Sequence, residues 1–192
     1  MIGQLLEHID ELDRRIQVFE ARIEALSAPF KQAVELVDSH PAISPISAYA
    51  LVSEIGSDMS RFPTAGHLAS WMAICPGNNQ SGGKRLSGRT RKGNRYARAI
   101  LVQIAHVLCK MPDTQYYALY RRIASRRGKK RALIAVAHAV VVTLHHMLTK
   151  CVTYQEPGPD YLAKRNPERE LSELKRRAAK LGHELVAASK AA

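Results

Sequence analysis

The sequence predicts an all-α protein in which a coiled-coil helix precedes a compact helical domain, itself interrupted by a Gly-rich basic loop. Three observations carry this reading. Residues 2–26 hold an unbroken heptad seam. Downstream, apolar positions recur at helical spacing in stretches bounded by Gly or Pro. Of the 192 residues, 46% are hydrophobic. That is enough to bury the core of one domain of about 130 residues with helical extensions.

Ile2, Leu5, Ile9, Leu12, Ile16, Phe19, Ile23 and Leu26 are spaced 3,4,3,4,3,4,3. Isoleucine fills every a position; Leu, Leu, Phe and Leu fill d. Ile at a with Leu at d favours a parallel two-stranded coil. A helix packed on its own domain shows a wider stripe, with e or g positions filled. Here most e and g positions are polar or charged, so a homo-oligomer through residues 2–26 is expected. An antiparallel pairing stays open.

Pro29 breaks this helix, and a second covers about 29–38 before Ser39-His40-Pro41. A helix from about Ser44 to Ile55 stops at Gly56. Phe62-Pro63-Thr64-Ala65-Gly66 turns into a helix over about 65–74, with Trp71 expected in the core. The Gly-rich basic loop covers about 76–93. Asn94 suits the N-cap of a helix reaching Lys110. Pro112-Asp113-Thr114 opens a helix bearing Tyr116, Tyr117 and Tyr120, expected half-buried. A basic turn, Arg126-Arg127-Gly128-Lys129-Lys130-Arg131, then leads into an apolar helix to Lys150. Gln155–Pro159 reads as a linker, and residues 167–190 read as a surface helix. The expected boundaries are a coiled coil at 1–28, a helical domain at 29–154, and a linker with a basic tail helix at 155–192.

Net charge is +12, and its distribution is uneven. Residues 1–26 hold six acids against three arginines, whereas residues 84–131 hold fifteen Lys/Arg and one acid, Asp113. This asymmetry predicts a nucleic-acid surface on the middle of the chain. A membrane reading is weaker. The longest apolar run, near Ile134–Leu144, is broken by His138 and Thr143, and no signal peptide starts at Met1. Cys75, Cys109 and Cys151 form no Cys-x-x-Cys pair and are odd in number, which suits a reducing, cytoplasmic setting. His138 and His145 share a helix face but have no third ligand at a standard spacing, so no zinc site is expected.

The densest cations lie in Gln80–Arg98. Ser81 stands beside Gly82-Gly83, and seven Lys/Arg follow with no acid: Lys84, Arg85, Arg89, Arg91, Lys92, Arg95 and Arg98. A basic run with one aromatic, Tyr96, suits phosphate contact more than base stacking. A P-loop is excluded, since Gly83 falls where its lysine belongs. Arg95 and Arg98 oppose the dipole at their helix start, which makes sense if a phosphate binds there. A hydroxyl among cations can attack phosphorus, because positive charge offsets that of the phosphate. Ser81 and Ser87 both satisfy this, and composition does not separate them.

Pro76, Ser81-Gly82-Gly83-Lys84, Gly88 and Lys92-Gly93-Asn94-Arg95-Tyr96-Ala97-Arg98 resemble the C-terminal serine-bearing domain of the DEDD-type insertion-sequence transposases. These are relatives of the Piv-type invertases and are bridge-RNA-guided recombinases. The resemblance runs from about Phe30 to about Tyr161. Ile43–Ala48, Leu51, Glu54-Ile55-Gly56 and Arg61-Phe62-Pro63 resemble that family's helix-hairpin-helix-like part, and Arg127–Leu133 resembles the start of its last helix. The hairpin reads Pro41-Ala42-Ile43-Ser44-Pro45, without the family's two glycines.

The resemblance implies DNA transposition with Ser81 as the nucleophile on a DNA phosphodiester. It implies that Lys84, Arg85, Arg89, Arg91, Lys92, Asn94, Arg95 and Arg98 hold nucleic acid. DNA is the expected partner, with a guide RNA as a further one, in a bacterial, nucleoid-associated protein. The family's four acidic metal ligands lie on an N-terminal RuvC-like domain. The chain starts near the coil that follows it, so no metal site or cofactor is expected in this chain. Magnesium is expected only with the acidic domain. A fragment inactive alone is therefore one expectation. The rival is a non-catalytic dimeric DNA- or RNA-binding remnant that represses the intact enzyme.

Overall fold

The computed structural model describes residues 1–77, 79–90 and 92–186. It is predominantly helical, as the sequence predicts, with one short β-hairpin. The chain forms two compact units. One comprises Met1–Val107 with Ala137–Gln155, the other Leu108–Val136 with the chain from Glu156 onward.

The first unit opens with α1, Ile2–Ser27. Glu11 pairs with Arg14 and Arg15 along its surface, but no residue of the helix is buried. Ile9 is 52% and Ile16 51% exposed. After a 3₁₀ turn at Ala28–Phe30 come α2, Lys31–Asp38, and α3, Pro45–Ile55. Ser44 caps α3 through its hydroxyl, and Gly56 closes it at φ +74°. A 3₁₀ turn at Met59–Arg61 precedes α4, Ala65–Trp71, capped by Thr64. The hairpin follows (β1, Asn79–Ser81; β2, Lys84–Ser87), then α5, Arg95–Leu108.

Its core draws on Val34 and Val37 of α2, Leu51, Val52 and Ile55 of α3, Leu68 of α4, and Leu101 and Ile104 of α5. Val140, Val141, Leu144 and Met147 of α7, Lys129–Lys150, complete it. Burying such aliphatics contributes roughly 1.5–3 kcal/mol per side chain. His40 is fully buried against Tyr154, ring centroids 4.3 Å apart. The Tyr154 amide also donates to Ser39 Oγ at 2.9 Å, returning the chain to the end of α2.

The second unit holds α6, Gln115–Arg127, the start of α7, α8, Tyr161–Arg165, and α9, Pro167–Lys180. Thr114 caps α6, and Glu156 Oε1 accepts from the Gln115 and Gly158 amides at 2.9 Å each. Tyr116 is buried, and Tyr117 and Tyr120 are half-buried as expected. Arg126 pairs with Glu173 at 3.3 Å.

Several expectations are corrected. Residues 76–93 contain the hairpin, not only a loop. Trp71 is 39% exposed, leaning on Phe62 with ring centroids 5.7 Å apart. The helix ends there, and Met72, Ala73 and Ile74 turn into the core in its place, Ala73 taking φ +57°. The tail helix stops at Lys180 because Gly182 turns left-handed at φ +75°. Residues 187–190, the end of the expected helix, lie outside the described residues. By length and composition α7 could cross a membrane, where the sequence reading ends the apolar run earlier. Its buried face belongs to the core, which accounts for that composition.

Candidate nucleic-acid interface

The hairpin is closed at its base and open at its tip. Pro76 bridges antiparallel to Thr90, and the Gly77 amide donates to the Arg89 carbonyl at 2.7 Å. Within it Asn79 pairs with Ser87, Gln80 with Arg85 and Ser81 with Lys84, with an irregularity between Asn79 and Gln80. Leu86 is the extra residue on β2 and stands 64% exposed. Gly82 and Gly83 form the two-residue turn at φ +55° and +75°. A tight hairpin of this hand needs left-handed residues at both positions, which only glycine adopts without strain. A Cβ at either would meet nothing within 4 Å, so backbone conformation and not crowding requires the glycines.

This turn separates the two candidate serines. Ser81 is exposed in the last pair before the turn, opposite exposed Lys84. Its hydroxyl has no hydrogen-bond partner among the described residues. Ser87 Oγ accepts from the Arg89 amide at 3.2 Å and is only half-exposed. Ser81 is exposed opposite Lys84 in the strand pairing, while the Ser87 hydroxyl holds the chain.

The segment after the hairpin is tightly fixed. A Cβ on Gly93 would lie 2.5 Å from the Trp71 carbonyl oxygen and 3.0 Å from Ala73 Cβ. The Asn94 amide donates to that same Trp71 oxygen at 3.1 Å. Asn94 Oδ1 accepts from the Tyr96 and Ala97 amides at 2.9 and 3.0 Å, the N-cap geometry expected from the sequence. Asn94 Nδ2 donates to Glu54 Oε2 on α3. Asn94, expected to contact nucleic acid, thus also bonds within the protein through its backbone amide, Oδ1 and Nδ2.

Lys84, Arg89, Lys92 and Arg95 are exposed, and Arg98 is half-exposed. None of the five has an ion-pair partner among the described residues. Arg95 donates to Tyr96 Oη at 2.8 Å, its guanidinium carbon 4.8 Å from the Tyr96 ring centroid. Arg91 lies outside the described residues, and of Arg85 only the backbone is described. Five cations without an ion-pair partner among the described residues, on the hairpin and the start of α5 and with no acid from Lys84 to Arg98, attract phosphate. Among the described residues no group of three or more His, Cys, Asp or Glu could hold a metal ion.

Sequence reasoning misses the role of Glu54, which lies 40 positions from Asn94. It also misses the carbonyl of Trp71, since a backbone acceptor leaves no mark in side-chain pattern.

All these elements fall within one matched stretch. Residues 34–121 match the transposase IS116/IS110/IS902 family. The chain is also 26% identical over 147 residues to the transposase for insertion sequence element IS1111A of Coxiella burnetii (strain RSA 493 / Nine Mile phase I). That covers 74% of this chain and 40% of the relative. It is 27% identical over 167 residues to a probable family 20 transposase of Pseudomonas aeruginosa PAO1, covering 82% of this chain and 48% of the relative. The chain spans less than half the length of these curated relatives. The transposase match takes in the hairpin, Glu54 and the cap of α5 together. Residues 34–121 and the longer matched stretches are thus similar to transposases of the IS110 type.

Proposed function

We propose that this chain is the DNA-binding, serine-bearing part of a transposase, with Ser81 as its nucleophile. The observation that carries this reading is the free Ser81 hydroxyl standing opposite Lys84 at the tip of a cationic hairpin. In the proposed step Ser81 Oγ bonds to phosphorus and the bond from phosphorus to one sugar oxygen breaks. The serine proton leaves to a base outside the hairpin, and the freed sugar oxygen takes up a proton. Lys84 offsets the charge gathering on the phosphoryl oxygens. Lys84, Arg89, Lys92, Arg95 and Arg98, with Arg85 and Arg91 beside them in sequence, hold the backbone of DNA or of a guide RNA.

In the family, the acids that bind magnesium lie on a RuvC-like domain, and the proposed cleavage depends on them. Alone, the chain binds nucleic acid and cleaves it poorly or not at all. The exposed α1 seam supports a homo-oligomer as the binding form. That seam also favours a second reading, a dimeric non-catalytic binder of DNA or RNA that represses the intact enzyme.

The test is binding to a labelled duplex as salt is varied. If about six phosphates are neutralised, the log–log slope is roughly −5. Arg95→Ala with Arg98→Ala makes the slope shallower by about two. A slope near zero removes the reading.

A further inference from the structure

We propose that Glu54 is a positioning residue for the phosphate contacts of α5, acting through Asn94. The inference rests on the proposed nucleic-acid reading and adds a part to it: an acid in α3 that touches no phosphate but sets where two cations stand.

Three contacts converge on the residue before α5. The Asn94 amide is held by the Trp71 carbonyl, and its Oδ1 caps the Tyr96 and Ala97 amides. On the same planar amide, Nδ2 donates one bond to Glu54 Oε2. A carboxylate is a stronger acceptor than a neutral oxygen, so it holds the amide plane firmly. The cap oxygen shares that plane, and its orientation decides where the first turn of α5 begins. Arg95 and Arg98 project from that turn. Gly93 fits closely against Trp71 and Ala73, so the backbone just ahead of the cap has little room to shift.

An acid beside a phosphate surface weakens binding by repulsion unless its geometry returns more than its charge takes away. Charge and reach can be separated by substitution. Glu54→Gln keeps the length and an accepting oxygen but loses the charge. Glu54→Asp keeps the charge but is one methylene too short. A positioning role predicts that Gln rescues and Asp does not; a purely electrostatic role predicts the reverse.

The experiment uses the intact chain, a labelled duplex as probe, and amide exchange at Tyr96 and Ala97. Glu54→Ala and Glu54→Asp are expected to weaken duplex binding by about threefold or more, and Glu54→Gln to stay within about twofold. In an Asn94→Ala background, Glu54→Ala adds nothing further, since both act through one contact. Without nucleic acid, Ala and Asp speed exchange at Tyr96 and Ala97 by about tenfold while the amides of α2 are unchanged. Gln, whose neutral oxygen still reaches the amide, speeds exchange less than Ala or Asp.

Equal binding by Glu54→Ala and the parent, additive losses with Asn94→Ala, or rescue by Asp and not Gln would overturn the proposal. Should Glu54→Ala fail to fold, the Asp and Gln pair still decides. Should the parent bind no duplex, the proposed function falls, and exchange at Tyr96 and Ala97 still shows whether Glu54 sets this turn.

Discussion

Lys84 pairs with Ser81 directly across the Gly82-Gly83 turn. Strand pairing therefore keeps the ammonium group's backbone at a set distance from the hydroxyl's. A serine is a weak nucleophile until something stabilises the charge its attack creates. The hairpin supplies a cation there without burying it.

In the proposed chemistry this pair has separable roles. Supplied with its acidic domain, guide and magnesium, the protein is expected to form a covalent adduct with DNA. Ser81→Ala abolishes the adduct and leaves duplex binding nearly intact; Ser87→Ala retains it. Lys84→Ala slows adduct formation by roughly 10²–10³-fold, as loss of a charge-stabilising donor does elsewhere. Denaturing gels report both, and an adduct that survives Ser81→Ala refutes the assignment.

Two glycines are expected to respond oppositely to a methyl group. Gly93→Ala drives a Cβ into the Trp71 carbonyl oxygen and costs on the order of 1–3 kcal/mol. Gly66, in the first turn of α4, would place its Cβ 3.5 Å from Thr64 Oγ1, an ordinary contact. Gly66→Ala is therefore expected to stabilise by about 0.4–1 kcal/mol. Denaturant melts of both variants check the contrast.

Residues 2–26 are expected to associate. The α1 seam carries Ile2, Leu5, Ile9, Leu12, Ile16, Phe19, Ile23 and Leu26, all at least 44% exposed. Light scattering should give twice the chain mass or more, and Ile16→Lys should return a monomer. A monomeric parent at tens of micromolar contradicts this.

Burial pushes the Cys109 thiol up to about 11. Its alkylation is expected to be slow at neutral pH and to rise only as pH nears that value, whereas exposed Cys151 reacts sooner. Between 9.0 and about 11 the folded state keeps a proton that the unfolded chain releases. Stability therefore falls as pH rises through that window, and Cys109→Ala removes this part of the decline. Mass spectrometry of alkylated protein, with melts at both ends of the range, tests this.

The helices were legible because their boundaries are written locally. Ser44, Thr64, Asn94 and Thr114 each cap where a short polar residue meets an apolar run, and Gly56 stops α3 at positive φ. The hairpin was not, because two strands of three and four residues carry too little alternation to rise above a run of Gly and Lys. Trp71 misled for a related reason: its size favours burial, but where α4 ends decides its direction. Within the site, charge marked the cations and left their support unmarked. The resemblance grouped Asn94 with the cations, and its partners lie on α3, α4 and the first turn of α5.

The division between a fixed base and a free tip bears on engineering. Between Gly77 and Arg89 the hairpin closes on its own backbone, and neither turn glycine would crowd a neighbour. The clasp of Trp71, Gly93, Asn94 and Glu54 lies wholly outside that stretch. Substitutions at the hairpin tip are thus expected to leave that clasp in place, so binding and stability should respond to different residues.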